Sequence, residues 1–249
     1  MAIYKTKGIV LKTHKLGEAD KIITILSDSR GKIRAVAKGL RKTVSRFGGR
    51  LEPFTYVNLV LYEGRNLDTI NQVDIIESFK EIRDDLDKVT YGSAMLDLAD
   101  KLVLEGERDN TLFFLLIKAL KALLEREKNE WLILLAFNLQ SMAVSGYAPS
   151  LFSCLSCRAA VKPSALAFFS NEWGGVLCEK CAEADFLATQ VSYSLLELMV
   201  KILNSSFANL ARLDVGDKER KELNTIINSY VDYHLQAKLK SHLYLSQIE

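Results

Sequence analysis

The feature that most constrains this chain is the placement of its four cysteines, which form two C-x-x-C pairs. The pairs are Cys154 with Cys157 and Cys178 with Cys181, and 20 residues separate them. Each pair can turn two thiolates toward one metal ion, and two such turns complete a tetrahedral shell. The spacing is typical of structural zinc sites and leaves no cysteine over. It therefore predicts one structural Zn²⁺ per chain, held by all four thiolates.

The segment around the cysteines, residues 149–188, has few aliphatic residues with which to order itself. Ordering costs roughly 1.5 kcal/mol per residue, whereas zinc on four thiolates supplies about 10–16 kcal/mol. The alternatives are two disulfides or a redox-active dithiol. Because the N-terminus has no signal-peptide core, we expect a reducing cytoplasm, which disfavours disulfides.

The sequence lacks the short motifs that carry common enzyme chemistry. G-x-x-x-x-G-K-[ST], H-E-x-x-H and G-x-S-x-G are all absent. A zinc hydrolase would need an open coordination position, and four thiolates leave none. The longest unbroken apolar runs, 112–117 and 131–137, are too short to span a bilayer. We therefore expect a cytoplasmic protein that is not an enzyme and has no membrane partner.

The small net charge of +2 hides a strong asymmetry. Residues 1–65 hold 14 Lys and Arg against 5 Asp and Glu, a net charge of +9. The remaining residues hold 19 against 26, a net charge of −7. Such a division indicates a basic binding module, for which polyanions are the natural partners.

Residues 1–78 alternate between apolar and polar side chains, as strands do. Strands are predicted near 7–14, 22–26, 32–38, 56–62 and 67–76, with turns at 28–31 and 63–66. No long helix intervenes. Five short strands in such a segment favour a small closed barrel, which has no free sheet edges.

After residue 78 the apolar period becomes that of helices. Asn110 is expected to cap a helix that runs through 112–128, and residues 131–144, apolar nearly all round, predict a central core helix. Helical stripes return after residue 189. The predicted domains are a barrel at 1–78, a helical domain in two parts at 79–148 and 189–249, and a cysteine-bearing insertion at 149–188.

The second chemical signal is the basic stretch 38–50, which contains no acidic residue. It follows a strand whose outward face already carries Lys32, Arg34 and Lys38, so both would concentrate cations along one groove. The predicted phosphate-binding residues are Lys32, Arg34, Lys38, Arg41, Lys42, Arg46 and Arg50. Nearby aromatic rings at Phe47, Phe54 and Tyr56 are candidates for base stacking, or are simply core residues.

Several short runs in combination resemble the RecO family of bacterial DNA repair and recombination mediators. These are Gly8–Leu11, Gly17–Asp20, Gly31, Ala37–Gly39, Ser45-Arg46 and Leu51–Phe54, followed by Tyr147, Pro149 and both C-x-x-C pairs. The similarity covers almost the whole chain. It implies an α+β multidomain fold: an N-terminal five-stranded OB-fold barrel, an α-helical domain and a four-cysteine zinc-finger insertion.

The resemblance also implies a function and a set of partners. Members of the family bind single- and double-stranded DNA and anneal complementary strands. They work with RecR and RecF, contact the C-terminal tail of single-stranded DNA-binding protein, and help to load RecA onto coated single strands. The implied location is the cytoplasm, at the nucleoid. The alternative from the residues alone is an RNA-binding OB-fold factor, since OB barrels serve both polymers.

Overall fold

The computed structural model describes residues 2–41, 45, 47–107, 110–125 and 129–236. The chain divides into two compact units, Met1–Leu124 and Glu125–Glu249. The first unit contains a closed barrel followed by helices, and the second contains the cysteine-bearing segment and further helices. The fold is α+β, as predicted. Within the described residues, no helix combines the length and apolar composition needed to cross a membrane.

The barrel consists of five strands, and all five strand predictions are confirmed. They are β1 (Ile3–Leu16), β2 (Asp20–Ser27), β3 (Gly31–Ala37), β4 (Tyr56–Tyr62) and β5 (Asp68–Glu77). The strand order is β1-β2-β3-β5-β4, and β1 pairs with β4 to close the ring. The β3–β5 pair is parallel, while the other pairs are antiparallel.

The alternation in the sequence decides which side chains fill the barrel. On β3, Ile33, Ala35 and Ala37 are buried, whereas Arg34 is exposed between them. On β4, Val57, Leu59 and Leu61 are buried in the same way. Because successive side chains of a strand point to opposite faces, one period-two pattern supplies both an apolar interior and a polar exterior.

Three helices complete the described part of the first unit: α1 (Lys80–Arg83), α2 (Leu86–Leu102) and α3 (Asn110–Ala122). The Asp85 carboxylate caps α2 by accepting hydrogen bonds from the N–H groups of Asp87 and Lys88. Helix α3 ends at Ala122, six residues before Lys128, where the sequence predicted its end. The Leu124 N–H donates to the Lys121 carbonyl instead of continuing the helical ladder, which tightens and ends the last turn.

The second unit is built around α4 (Glu130–Val144), which is buried on nearly all sides, as predicted. Gly146 follows it at a φ of +91°, a left-handed conformation that favours glycine. The remaining elements are β6 (Ala167–Ser170), β7 (Gly175–Cys178), α5 (Glu179–Ala182), β8 (Thr189–Val191), α6 (Tyr193–Asn204), α7 (Phe207–Leu210) and α8 (Asp217–Leu235). The strands form a small sheet in the order β7-β6-β8, which the sequence did not predict.

Candidate metal centre and nucleic-acid interface

The four cysteines come together in the second unit. Their sulfur atoms all lie within 4.8 Å of one another, and the Sγ atoms of Cys157 and Cys178 are 3.7 Å apart. A tetrahedron of Zn–S bonds of about 2.3 Å has an edge of about 3.8 Å. No disulfide joins any of the four. This arrangement could hold one metal ion, and the predicted disulfide alternative is not what the structure has.

Backbone hydrogen bonds position the two pairs. The first pair forms a knuckle in which the Arg158 N–H donates to the Cys154 carbonyl at 2.9 Å. The Leu155 N–H then donates to the Val176 carbonyl at 2.9 Å, which fixes this knuckle beside β7. Strand β7 ends at Cys178, and the one-turn helix α5 carries Cys181. The small sheet is therefore what aligns the second pair with the first.

The environment of the thiols differs between the buried Cys154 and the half-buried Cys181. Burial alone raises the pKa of Cys154, but the backbone N–H groups of Cys157, Cys178 and Ser156 lower it to about 6. The pKa of Cys181 moves the other way. The Ser156 hydroxyl lowers it, but the neighbouring thiols, Cys178 above all, raise it to about 11. The thiolate is the form that binds a metal, and hydrogen bonds from the backbone stabilise that form at Cys154.

The predicted basic residues on β3 have different surroundings. Arg34 is exposed, and its guanidinium lies 3.8 Å from the carboxylate of Glu105. The Lys32 side chain is only 17% exposed, and its Nζ donates to the Asp100 carbonyl at 2.5 Å and lies 3.5 Å from the same residue's carboxylate. The Asp100 carboxylate also binds Lys12 Nζ at 2.5 Å. Lys32 is therefore the least available of the predicted cations that the structure describes.

The basic residues beyond β3 are more open to solvent. Lys38 is exposed in the turn that follows the strand. Arg41 is exposed as well, with its guanidinium donating to the Gly17 carbonyl at 2.8 Å, and Arg50 is exposed on a short 3-10 helix at Gly48–Leu51. The two other predicted residues, Lys42 and Arg46, lie outside the described residues.

Two of the three candidate base-stacking rings are core residues. Phe47 and Phe54 are buried, so of the two predicted alternatives the structure has the core one for these rings. Phe47 belongs to the apolar cluster inside the barrel. Tyr56 is half-buried, and its ring makes an edge-to-face contact with Phe113 at 5.8 Å. Aromatic residues next to a strand are more often drawn into the interior because each ring buries a large apolar area.

Three further residues lie beside these cations and were not predicted from the sequence. Asp100 of α2 holds Lys12 and Lys32, and nothing in the local sequence indicates this pairing. Arg30 and Arg65 lie in the two predicted turns and line the same cavity as Arg34. The sequence does contain a signal for these two arginines as binding residues, since each is a cation in a predicted turn next to a barrel strand.

Comparison with known proteins gives a consistent result along the whole chain. The family model "Recombination protein O N terminal" matches residues 1–79, and "Recombination protein O C terminal" matches residues 83–243. The first match covers the barrel. The second covers the helices from α2 onward and the cysteine-bearing segment.

Full-length relatives carry the same description. The DNA repair protein RecO of a Nocardioides species is 40% identical over 248 residues, covering 98% of this chain and all of that protein. The proteins of the same name from Frankia casuarinae and Pelotomaculum thermopropionicum are 39% and 35% identical. Those two alignments each cover 99% of this chain and 100% and 95% of the relative, respectively.

Proposed function

The chain belongs to the RecO family of DNA repair proteins, and we propose that it is a mediator of recombinational repair that binds DNA and anneals complementary strands. It binds both single- and double-stranded DNA. With RecR and RecF it helps to load RecA onto single strands coated by single-stranded DNA-binding protein, whose C-terminal tail it contacts. None of these steps makes or breaks a covalent bond, so the protein needs no catalytic residue. It works in the cytoplasm, at the nucleoid.

The observation that carries this proposal is the cationic exterior of β3 and of the loop that follows it. Arg34, Lys38, Arg41 and Arg50 are all exposed in the first unit. Lys42 and Arg46 belong to the same basic stretch of sequence. The binding face of OB-fold barrels includes strands two and three, so these cations occupy a position suited to a nucleic-acid backbone.

Annealing follows from electrostatics on such a surface. Two complementary strands repel each other through their phosphates, and cations that neutralise those phosphates reduce the repulsion. Base pairing then supplies the specificity without any contribution from the protein. In this proposal the barrel at 1–78 holds the strands, while the helical parts at 79–148 and 189–249 dock the protein partners.

Zinc is the metal we propose for the cysteine cluster, with Cys154, Cys157, Cys178 and Cys181 as its ligands. Four thiolates are the typical donor set of a structural zinc site, and they leave no coordination position for a substrate. The role of the metal is to fix the insertion at 149–188. The DNA-binding barrel supplies none of its ligands.

A salt titration with a labelled single strand measures how many phosphates the binding surface contacts. If five cations contact phosphates, the slope of log affinity against log salt is about −3.5. A fourfold increase in salt then weakens binding roughly a hundredfold. A slope near zero would contradict phosphate binding. In competition between DNA and RNA strands of equal length, a clear preference for RNA would favour an RNA-binding factor instead.

Charge reversal tests the location of the surface. We expect replacement of Arg41, Lys42 and Arg46 by Glu to abolish annealing and to leave the fold intact. A matched control reverses three exposed lysines of the second unit: Lys201, Lys218 and Lys221. This control changes the net charge equally and should anneal normally. Unchanged annealing in the first variant, or equal loss in both, would reject the proposed surface.

A further inference from the structure

A cavity of about 420 Å³ lies at the end of the barrel where β3 begins. Its wall includes Tyr4 of β1, the start of β3, the loop between β4 and β5, and the backbone at Gly106. Four cations line it, and they are Arg30, Lys32, Arg34 and Arg65. Arg30 and Arg65 were not among the residues predicted to bind DNA. A concave site lined by several guanidinium groups has the chemistry of an anion site.

Arg30 is held in a fixed position at this cavity. Its guanidinium carbon lies 3.9 Å from the centre of the Tyr4 ring, and its Nη1 is 3.3 Å from the Glu63 carboxylate. Stacking on an aromatic ring fixes the plane of a guanidinium and leaves its edge free to donate hydrogen bonds. Arg30 therefore loses little freedom when it binds an anion.

The loop that carries Arg65 is also fixed. The Asp68 carboxylate accepts hydrogen bonds from the Gly64 N–H at 2.9 Å and from the Tyr4 hydroxyl. Burial, together with this hydrogen bond, raises the pKa of Tyr4, so the phenol stays protonated and continues to donate. A side chain at Gly64 would place its Cβ 1.9 Å from the Leu67 carbonyl oxygen, so only glycine fits this tight turn. The loop presents Arg65 to solvent, with no ion pair to it among the described residues.

Three of the four cations at the cavity have an acidic partner: Glu63 pairs with Arg30, Asp100 with Lys32 and Glu105 with Arg34, which leaves Arg65 as the cation with most capacity for a ligand. Asp68 is engaged by the loop and by Tyr4. Glu105 is 3.8 Å from Arg34, and both side chains are about half exposed, so solvent weakens the pair. A phosphate that displaces Glu105 would leave Arg34 available beside Arg65, both of which line the cavity.

We propose that this cavity binds one backbone phosphate of a DNA strand that runs along β3 toward Lys38 and Arg41, with Arg65 and Arg30 as its principal ligands. This inference rests on the proposed DNA-binding function and locates one end of the bound strand. The seven residues of β3 extend for about 23 Å, enough for several phosphates of a single strand. A free inorganic phosphate has the same chemistry, so the experiment includes both.

The test compares Arg65→Ala with Lys7→Ala in the full chain. Lys7 is an exposed cation of β1 that lines a different cavity of the same barrel. With a labelled single strand, Arg65→Ala should weaken binding about fivefold to tenfold and reduce the salt slope by about 0.7. Lys7→Ala should change affinity less than twofold. Arg65→Lys, which keeps the charge, should retain most of the affinity and controls for folding.

The outcomes separate this inference from the proposal on which it rests. Equal weakening in Arg65→Ala and Lys7→Ala would overturn the cavity assignment, while leaving DNA binding by the barrel in place. Failure of the unaltered protein to bind the strand would overturn the proposed function itself. Inorganic phosphate, added as a probe, should bind the unaltered protein far more weakly than the strand does. Phosphate binding that Arg65→Ala abolishes, with DNA affinity unchanged, would show a site for free anions and contradict the inference.

Discussion

The barrel and the cysteine-bearing segment reach a fixed structure by different means. The barrel encloses one cluster of buried apolar side chains drawn from all five strands. The segment at 149–188 instead leaves large apolar residues in solvent, including Phe152, Phe186 and Leu187, and gathers four thiols. Burial alone can stabilise a closed ring of alternating strands. A short segment with little interior needs a cross-link.

Polar contacts within the segment are too weak to replace that cross-link. The buried Asp185 accepts hydrogen bonds from the Ser170 hydroxyl at 2.5 Å and from the Leu187 N–H at 2.9 Å. Each such bond contributes about 0.5–1.5 kcal/mol net. Zinc binding to four thiolates contributes about 10–16 kcal/mol. This difference predicts that the segment depends on the proposed metal ion, whereas the barrel does not.

The largest expected effect is that of removing one thiolate. Cys178→Ala should lose the metal, from one ion per chain to none by elemental analysis. Amide hydrogen exchange should then become fast across 149–188, because ordering energy of about 10–16 kcal/mol is lost. The strands β1 to β5 should keep their protection. Chelation of the unaltered protein should give the same pattern.

A neighbouring serine provides the control for this experiment. Ser164 is exposed in the same segment and is not a ligand, so Ser164→Ala should keep one metal ion per chain. A metal-free preparation in which 149–188 stays fully protected would refute the structural role of the metal. Loss of protection in the barrel would contradict the distinction between the two regions.

The converse experiment weakens the barrel by creating a cavity. Leu61 is fully buried in the barrel cluster, and Leu61→Ala should reduce the free energy of unfolding of this unit by about 2–5 kcal/mol. Val60→Ala, on the adjacent half-buried position, should cost about 1 kcal/mol or less. Denaturant unfolding followed by hydrogen exchange measures both. The metal content should remain at one ion per chain, and a decrease would show that the segment depends on the barrel.

The barrel was predictable from the sequence because its signal is local. Alternation within each strand marks which residues face inward, and the turns at 28–31 and 63–66 separate the strands. The cysteine cluster was predictable for a similar reason, since each pair occupies a single knuckle. In both regions a short window of sequence contained the relevant geometry.

What could not be predicted depends on residues far apart in the chain. Lys32 pairs with Asp100, which lies 68 residues further along the chain. This pairing occupies the ammonium group of a residue that was predicted to bind DNA. The burial of Phe54 depends on α2, where its ring lies over Gly92, so tertiary packing decides between the stacking and core alternatives that the sequence left open. The small sheet of three- and four-residue strands is too short for periodicity to reveal.

The smallest expected effect concerns the cations that Asp100 neutralises. Asp100→Asn keeps the size of the side chain but removes the charge that holds Lys12 and Lys32. Lys12 then gains the freedom to face phosphates, while Lys32 keeps only its hydrogen bond to the Asp100 carbonyl, so DNA affinity should rise about twofold to fivefold, with a steeper salt slope. The barrel unit should lose about 1.5–3 kcal/mol of stability, because the Asp100 carboxylate is largely buried and accepts a hydrogen bond from a charged lysine.

Asp97→Asn distinguishes release of these lysines from a simple change of net charge. Asp97 lies one turn earlier on α2 and pairs with Lys101 of the same helix, so its removal frees neither Lys12 nor Lys32. Both variants change the net charge by +1, and long-range attraction of DNA should increase equally in each. Only Asp100→Asn should steepen the salt slope, because the slope counts the phosphates that cations contact. Equal slopes in the two variants would mean that Lys12 and Lys32 do not reach the strand.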